Sequence, residues 1–342
     1  MLVQCQRSNE ETIMFKSAKP LFLIVETSLH AGSGSDLGIV DLPIQREKHT
    51  DYPKIEGSGI KGAAREVFRT QPNLKALELD WNITSVEDHD YKEAINLTFG
   101  PDQGDLHAGA LGFTDARLLL FPVKSVSGVF GWITCPVVLE RFKHDLSICQ
   151  PSILFGFSIP EENQVPTGSD LIVNDSKIVL EEYTFPVQET DNCKDIATWI
   201  SENCLPADDV YSYWREKIIK SLVVLSNDDF RDFVTLSTEV IARIKIDPEK
   251  GTVQKGALWY EEYLPSDSIL YSLALTSPIF QESDKDKGIF QLTKQEKEEN
   301  RDESEKVMEF LEDGLPSIIQ LGGNATIGKG IVRTRVYEDK EI

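Results

Sequence analysis

GIVDLPIQREKHT, at residues 38–50, is the stretch around which the chain is organised. Its proline, Pro43, argues against a helix, because proline lacks the amide hydrogen that a helix interior requires. One acid, Asp41, lies between an apolar pair and that proline, and two bases, Arg46 and Lys48, follow closely. The pattern predicts a loop. Taken alone it is typical of an ordinary turn, and a loop that presents one functional carboxylate is the alternative.

Two predicted elements flank this loop. Residues 21–29 alternate and are rich in β-branched side chains, which predicts a strand with His30 at its exit. After the loop, Ser58 can cap a helix that runs to about residue 69. The N-terminus of that helix would offer free amide groups, with Lys61 and Arg65 one turn apart, which is a phosphate-binding arrangement. An ordinary capped helix is the simpler interpretation.

The rest of the chain alternates between predicted strands and helices. Strands are predicted at 108–122, 128–134 and 268–279, and helices at 136–144, 191–203, 209–221 and 303–311, while 151–188 predicts strand and loop. Two polar segments interrupt this order as insertions. The first, near 71–106, should contain short helical pieces. The second, 281–301, is acidic, and we expect it to be mobile.

A β-hairpin is predicted from residues 233–246 and 252–264, because the turn between them carries proline and glycine where such turns favour them. Side chains that could make it a projecting arm are Ile244, Ile246, Val253, Leu258 and Trp259. Two acids lie where the hairpin returns to the body, and these are Glu261 and Glu262. A plain hairpin at a sheet edge is the alternative.

A glycine-rich loop joins two predicted strands within residues 318–333. Glycines let a backbone approach a phosphate closely and offer amide groups to it. The residues that would do so are Gly322, Gly323, Gly328, Lys329 and Gly330. The loop is not a Walker A motif, because Gly330 rather than Ser or Thr follows Lys329, and we reject nucleotide hydrolysis. A glycine-rich hairpin without a ligand remains the alternative.

The composition predicts one large domain, or one domain with insertions, since 342 residues are 40% hydrophobic and 27% charged. No apolar run is long enough to span a bilayer, and the polar N-terminal segment lacks a signal core. Five cysteines, an odd number without a close pair, favour free thiols in a reducing cytoplasm. No Cys or His pair has zinc-ligand spacing. We therefore expect a cytoplasmic protein without a membrane partner.

The net charge of −22 argues against a nucleic-acid binder when it is taken as an average. The charge is segregated, however. Residues 281–313 hold twelve acids and six bases, whereas residues 41–69 hold five acids and six bases. Residues 324–337 hold three bases and no acid. Because a partner responds to a local face rather than to the mean, nucleic-acid binding stays open.

Several of these segments together resemble the RAMP superfamily of CRISPR-associated proteins, and within it the backbone (stack) subunits of the type III-B Cmr effector complex. The segments span nearly the whole chain in the order of the family. They are HAGSG at 30–34, GIVDLPIQREKHT at 38–50, SGIKG at 58–62, the segment 121–136, GALWYEEYLP at 256–265 and the loop 322–330. Ile39 stands where the family often has valine, which is a conservative departure.

The resemblance implies an α+β fold, namely a ferredoxin-like (RRM-like) palm with a projecting β-hairpin thumb and inserted helical segments. We expect residues 1–342 to form one RAMP domain. Its palm core would comprise 15–150 and 265–342, with insertions at 71–107 and 281–301. Residues 150–265 would be a further insertion that includes helices and the hairpin thumb at 233–264. The acidic insertion and the long N-terminal extension depart from the compact pattern of the family.

The resemblance also implies the partners and the reaction of an antiviral defence complex. The chain would bind a CRISPR guide RNA, a single-stranded target RNA, stacked copies of itself and other Cmr subunits. Copies would stack along the guide, and each thumb, through Ile246, Val253, Leu258 and Trp259, would kink the guide–target duplex at regular intervals. Guide contacts would come from Arg46, Lys48, Ser58, Lys61, Arg65, Gly322, Gly323, Gly328, Lys329 and Gly330.

By the same resemblance, Asp41 is expected to cut the target RNA with a divalent metal, Mg²⁺ or Mn²⁺, as a hydrolase of the endoribonuclease class. His30, Glu261 and Glu262 are secondary catalytic candidates. RNA cleavage needs a 2′-OH in line with the adjacent phosphorus, and a kinked backbone supplies that alignment. A carboxylate there can hold a metal ion or accept the 2′-OH proton. One aspartate is a weak metal site by itself, so RNA phosphates or a glutamate must complete it.

Two other functions remain open. The chain could be a non-catalytic RNA-binding filament subunit in which Asp41 is an ordinary loop acid. It could also be a nuclease that processes guide RNA, although the Asp41 loop and the hairpin that carries Trp259 disfavour this. Sequence specificity is not expected of the protein itself, because a guide supplies it by base pairing.

Overall fold

The computed structural model describes residues 15–35, 40–102, 107–149, 158–174, 176–281 and 283–337. The predicted N-terminal extension, Cys5, and the first two residues of the stretch 38–50 lie outside the described residues. Most of that stretch, including Asp41, is described. The four described cysteines are free, as predicted, and the structure shows that all four are buried: Cys135, Cys149, Cys193 and Cys204.

The strands, numbered in chain order, are β1 (Ser17–Val25), β2 (Lys54–Ile55), β3 (Leu111–Phe113), β4 (Ala116–Lys124), β5 (Phe130–Thr134), β6 (Gln164–Pro166), β7 (Ile172–Asn174), β8 (Lys177–Leu180), β9 (Tyr183–Pro186), β10 (Gln188–Thr190), β11 (Leu222–Val224), β12 (Glu239–Ile246), β13 (Val253–Tyr263), β14 (Ile269–Thr276), β15 (Ile318–Gln320) and β16 (Ile331–Val336). The helices are α1 (Gly57–Thr70), α2 (Leu74–Trp81), α3 (His89–Phe99), α4 (Pro136–Cys149), α5 (Asp191–Cys204), α6 (Ser212–Ser221), α7 (Asn227–Leu236), α8 (Lys294–Glu298) and α9 (Glu303–Gly314). Short 3₁₀ helices occur at Asp209–Tyr211, Asp284–Phe290 and Ala325–Ile327.

One mixed sheet organises the described chain, in the order β10-β6-β11-β5-β4-β14-β1-β16-β15. Two short strands lie beside this path, with β2 on β4 and β3 on β14. β1 pairs antiparallel with β14 on one side and with β16 on the other. The sheet therefore joins segments from both ends of the chain, and strands from residues 150–265 extend it through β11, which runs parallel to β5.

The central strands are buried almost throughout rather than on alternating faces. Every residue from Leu21 to Val25 in β1 is buried, and β14 shows the same pattern. Helices α4 and α9 both pack against β1. A strand that is covered on both faces reads as a continuous apolar run, which explains why the alternation predicted for residues 21–29 does not describe this strand.

An aromatic cluster joins the two predicted insertions to the body. Phe310 of α9 is fully buried, and its ring centroid lies 5.4 Å from Phe68, 5.5 Å from Trp81 and 5.4 Å from Phe290. Tyr91 of α3 completes the cluster at 6.1 Å. Burying a side chain of this size stabilises a fold by about 1.5–3 kcal/mol. The segment 281–301 is therefore attached to the core at Phe290, while α8 within it has no buried residue, and its mobility stays a prediction.

Several predicted bounds need correction. The strand predicted at 108–122 is split into β3 and β4 at residues 114 and 115. Thr114 donates its amide to the carbonyl of Leu273 in β14, and the side chain of Asp115 accepts the amide of Gly57. The hairpin begins at Glu239 rather than at residue 233. Residues 227–236 instead form α7, which Ser226 caps by accepting the amide of Asp229. The other predicted helices and strands are present with shifted ends.

None of the helices in the described ranges combines the length and the apolarity that a membrane span needs.

Candidate functional site

The loop that carries Asp41 is attached to the base of the hairpin. Leu42 donates its amide to the carbonyl of Tyr260 and accepts the amide of Glu262, both at 3.0 Å, which forms a short parallel bridge. The Asp41 carboxylate accepts the backbone amide of Tyr260 at 2.8 Å and is exposed. The loop therefore presents one carboxylate at the surface, held where the hairpin leaves the body.

Glu262 lies directly behind this loop. It is only 5% exposed, and its carboxylate accepts the amide of Ile44 at 3.0 Å, the guanidinium of Arg46 at 2.5 Å and the hydroxyl of Thr238 at 2.8 Å. Arg46 also donates to the carbonyls of Asp51 and Val234. Arg46, predicted to contact RNA, therefore serves as an internal clamp between the loop and α7.

Glu261 points to the other face of the hairpin and is also buried. It accepts hydrogen bonds from Trp259 at 2.8 Å, from Asn324 at 3.0 Å, from Arg243 at 3.2 Å and from the hydroxyl of Tyr263. Burial alone would raise the pKa of Glu261, but the bonds from Tyr263, Trp259 and Arg243 bring it below its usual value. The backbone segment that carries both glutamates is bonded to the loop of Asp41. Their carboxylates, however, bind donors inside the protein, and a direct catalytic role for them stays a prediction.

His30 lies between the hairpin base and the glycine-rich loop. Its Nδ1 is 2.7 Å from the carbonyl oxygen of Glu262. A carbonyl only accepts, so Nδ1 carries the hydrogen, and in the neutral ring Nε2 is the unprotonated nitrogen. The imidazole packs against Tyr263 with ring centroids 5.5 Å apart. The structure thus brings His30, the two glutamates and the Asp41 loop to one junction.

The glycine-rich loop uses its amides within the chain. Gly323 donates to the carbonyl of His30 and Gly330 to that of Ser28, while Gly328 and Lys329 donate to carbonyls of the loop itself. These four amides therefore do not form the predicted phosphate cradle. Lys329 instead places its ammonium 4.9 Å from the centre of the Tyr263 ring.

Gly330 is needed for close approach of two backbones. Its φ is +75°, and a Cβ there would lie 2.0 Å from the carbonyl oxygen of Leu321. We expect Gly330→Ala to lower the free energy of unfolding by about 2–4 kcal/mol, from backbone strain together with steric overlap. Urea denaturation of the purified chain measures this.

Two glycine controls separate the causes. Gly328 has the same φ of +75°, but a Cβ added there would meet nothing within 4 Å, so Gly328→Ala should show the strain alone. Gly62 in α1 has open space and a helical backbone, and Gly62→Ala should leave stability unchanged or raise it by about 1 kcal/mol. Equal stability of the Gly330→Ala and Gly62→Ala proteins would contradict the close-approach explanation.

The basic helix differs from its prediction. α1 begins at Gly57, and Asp115 accepts the Gly57 amide at 3.0 Å, so Ser58 is an exposed first-turn residue and not the cap. Lys61 is half-buried and donates to the carbonyl of Leu111 at 2.7 Å. Burial lowers the pKa of Lys61, with the nearby Arg65 adding to the shift.

Charge pairing further reduces the predicted basic surface. Arg65 and Arg69 both pair with Asp102, at 2.9 and 2.5 Å. Lys48 is exposed, and within the described chain it makes no ion pair. Of the bases predicted to contact RNA, Lys48 and Lys329 have the ammonium groups that are most available to a ligand.

A second clamp on the loop could not be foreseen from the sequence. Glu47 is buried and accepts from Arg141 of α4 at 2.8 and 2.9 Å and from Thr50 at 2.6 Å. Burial would raise the pKa of Glu47, but the bonds from Thr50 and Arg141 keep it below its usual value. Because Arg141 is 94 residues away in sequence, no local pattern signals the pair.

Among the residues that the structure describes, Asp41 is not part of a group of three metal-ligand side chains. In the described ranges, the group of three candidate ligand residues whose donor atoms lie within 4.8 Å of one another is His89, Asp90 and Glu93, at the exposed start of α3. Asp41 can supply one hard oxygen, which suits Mg²⁺ when phosphates and waters provide the remaining ligands.

Comparison with known proteins gives a consistent result. The family described as the RAMP superfamily matches residues 22–333. The chain is 37% identical over 320 residues to the "CRISPR system Cmr endoribonuclease Cmr4" of Pyrococcus furiosus, covering 91% of this chain and 93% of that protein. It is 27% identical to the "CRISPR system CMR subunit Cmr4" of Saccharolobus solfataricus, covering 94% and 97%.

Solved structures agree with these sequence matches. A crystal structure of oligomeric Cmr4 from Pyrococcus furiosus is similar with a TM-score of 0.64 at 29% identity, covering 95% of this chain and 99% of that one. A cryo-EM structure of type III-B Cmr-beta in the apo state is similar with a TM-score of 0.65 at 25% identity, covering 95% and 99%.

Proposed function

The chain belongs to the RAMP superfamily, and from this membership we propose that it is the backbone subunit of a type III-B Cmr complex, which binds a guide RNA and cuts the bound target RNA. The relative in Pyrococcus furiosus is named a Cmr endoribonuclease, and a relative has been crystallised as an oligomer. The observation that carries the catalytic part is the exposed Asp41 carboxylate, held by the Tyr260 amide at the root of the hairpin.

The proposed architecture follows from this assignment. The part of the sheet that comes from residues 15–150 and 265–342, with its helices, would form a ferredoxin-like palm, and β12 with β13 would form the thumb. Copies would stack along the guide so that each thumb enters the guide–target duplex. Because the hairpin carries exposed apolar side chains and Asp41 lies at its root, each copy would place one carboxylate beside one kink in the target.

The chemistry requires little more than this placement. A thumb that splays two neighbouring nucleotides turns the 2′-OH of one toward the phosphorus of the next. Asp41 would then accept the proton of that hydroxyl or hold a divalent ion at the phosphate. When bound, Mg²⁺ or Mn²⁺ would supply neutralisation of the charge that develops on the phosphate oxygens. Glu262 and Glu47 would keep the loop in place through Arg46 and Arg141.

One observation favours the alternative of a non-catalytic RNA-binding subunit. The Asp41 carboxylate already has a structural bond, to the amide of Tyr260. A loop acid that only fixes the loop to the hairpin would show the same contact. The two functions differ in what happens when the charge is removed and the hydrogen bond is kept.

The test of the function is cleavage by the reconstituted complex. This chain is assembled with its partner subunits and a guide, and a complementary 5′-labelled RNA is added with Mg²⁺. We expect products that differ by a constant number of nucleotides, because identical subunits repeat along the guide. A target that is bound and left whole would support the non-catalytic subunit, and cuts at irregular positions would contradict the stacked arrangement.

Metal removal should stop the reaction without releasing the RNA. Excess EDTA should reduce cleavage by at least about 100-fold, the scale on which loss of a catalytic group acts, and added Mg²⁺ or Mn²⁺ should restore it. Guide and target binding, measured by gel shift in the same buffer, should persist. Undiminished cutting in EDTA would exclude a metal at Asp41 and leave Asp41 as a proton acceptor.

Guide binding should depend on Lys48 and Lys329 more than on Lys61. Each phosphate contact that is lost should lower the slope of log K against log salt by about one. We expect this change for Lys48→Ala and Lys329→Ala, with the same effect on unrelated guide sequences. Lys61→Ala is the matched comparison, since its ammonium donates to the Leu111 carbonyl. A larger slope change for Lys61→Ala than for Lys48→Ala would contradict this ranking.

A further inference from the structure

The hairpin has two chemically different faces. Residues alternate between the faces of a strand, and Ala242 lies opposite Tyr260 and Ile244 opposite Leu258. Beyond an irregularity in the pairing, which shifts the register, Ile246 lies opposite Val253. One face is therefore apolar. Its exposed large side chains, between 41% and 54% exposed, are Val240, Ile244, Ile246, Val253, Leu258 and Tyr260. A row of exposed apolar side chains of this length indicates a surface that is covered in the working assembly.

The opposite face is polar and partly closed. Arg243 lies opposite Trp259, and both bond Glu261, which links this face to Asn324 of the glycine-rich loop. Trp259 is therefore half-buried and lies on the opposite face from Leu258. Of the side chains predicted to kink the duplex, Ile246, Val253 and Leu258 lie together on the apolar face, and Trp259 lies on the opposite face.

Tyr260 differs from the other apolar-face residues in its position. Its backbone amide donates to the Asp41 carboxylate at 2.8 Å. Tyr260 is therefore the residue of the apolar face whose backbone lies against that acid. The side chain is 41% exposed, and within the described residues its hydroxyl makes no hydrogen bond and its ring makes no contact with another aromatic ring or a cation. A partly exposed aromatic side chain whose backbone bonds the proposed cutting carboxylate is placed to meet whatever Asp41 acts on.

We propose that Tyr260 holds the target nucleotide at the cut by stacking its ring on the base next to the scissile phosphate. This rests on the function proposed above, because it takes Asp41 as the mark of the scissile phosphate. Single-stranded bases stack on aromatic side chains without regard to sequence, as a guide-programmed enzyme requires. Stacking on Tyr260 fixes one of the two splayed nucleotides, so the 2′-OH and the phosphorus keep their alignment beside Asp41. Tyr260 is a substrate-positioning residue, and its hydroxyl has no part in the reaction.

The first test reads the contact directly and needs no cleavage. Target RNAs with 5-iodouridine at single positions are bound to the assembled complex in EDTA and irradiated, and the crosslinked residue is identified by mass spectrometry. We expect crosslinks to Tyr260 when the labelled nucleotide is next to a cut position. We expect none when it lies midway between two cut positions. Crosslinks that miss Tyr260 at every position would overturn the proposal.

The second test reads the consequence for the reaction. Tyr260→Ala should lower the single-turnover cleavage rate at saturating target by roughly 10- to 100-fold, the range that loss of one base–aromatic stack supports. Tyr260→Phe should stay within about threefold of wild type, because it keeps the ring. Target affinity should change little, since base pairing to the guide supplies it. Size-exclusion chromatography confirms that each complex assembles.

Tyr213 provides the matched control, since it is a 64% exposed tyrosine on α6. Tyr213→Ala should cleave as wild type does. If Tyr260→Ala also cleaves as wild type does, or if Tyr260→Phe is as slow as Tyr260→Ala, the stacking role is wrong while the proposed function stands. If the wild-type complex binds target without cutting it, the proposed function fails, and crosslinking still decides whether Tyr260 contacts the base.

Discussion

Asp41→Asn should abolish target cleavage, by about 100- to 10,000-fold, while the complex still assembles and still binds guide and target RNA. The range is that expected for loss of a group that moves a proton or holds a catalytic ion. Asparagine has the shape of aspartate, and its side-chain oxygen can still accept the Tyr260 amide, which the aspartate accepts at 2.8 Å. The substitution therefore removes charge and basicity and keeps the attachment of the loop to the hairpin.

The comparison protein for this experiment is Asp195→Asn, which removes one exposed carboxylate from α5 and should cleave normally. Cleavage is followed under single-turnover conditions, and binding is followed by gel shift with the same labelled target. Cutting by Asp41→Asn at the wild-type rate would contradict the catalytic role of Asp41. Loss of both cutting and target binding would assign Asp41 to the structure of the loop.

The sequence was most informative where a local pattern is sufficient. The hairpin turn at 247–252, the helices that became α5 and α9, and the strand–loop–strand at the C-terminal end are each specified by neighbouring residues, and the structure confirms them. Boundaries that depend on distant residues were not accessible. Asp115 rather than Ser58 receives the first amide of α1, and Phe290 is buried by a cluster that includes Trp81.

The candidate site divides in the same way. Proline and the residue pattern predicted the loop around Asp41, whereas the grouping of that loop with the Glu261–Glu262 segment and His30 was implied by the family resemblance, and the structure brings these segments together. The sequence did not predict which side chains face outward. Arg46, Lys61 and Glu262 are polar residues in promising motifs, yet each is used inside the fold, since buried polar groups must find partners. The hydrogen-bond partners of these buried side chains are set by tertiary packing, which a local sequence pattern does not encode.

Glu262 is the residue at which a structural and a catalytic role predict the most different results. Its side chain is 7% exposed, and its carboxylate pairs with the guanidinium of Arg46, a side chain that is 18% exposed. Removing one partner of such a pair leaves a charge in the interior without compensation, which costs about 3–5 kcal/mol. We expect Glu262→Ala to lose stability on that scale in urea denaturation. Glu262→Gln should lose less, because it still accepts from Ile44 or Thr238.

The double variant Glu262→Met with Arg46→Met separates the two roles. Replacing both members of a buried pair by apolar side chains removes the stranded charge, so the double variant should be more stable than Glu262→Met alone, with a coupling energy of about 1–3 kcal/mol. A catalytic Glu262 predicts the reverse pattern. In that case Glu262→Gln would retain wild-type stability and assemble normally, yet would fail to cut the target, and this outcome would place Glu262 beside Asp41 in the reaction. The arrangement in the fold favours the first result, because three donors already occupy the Glu262 carboxylate on the inner side of the loop.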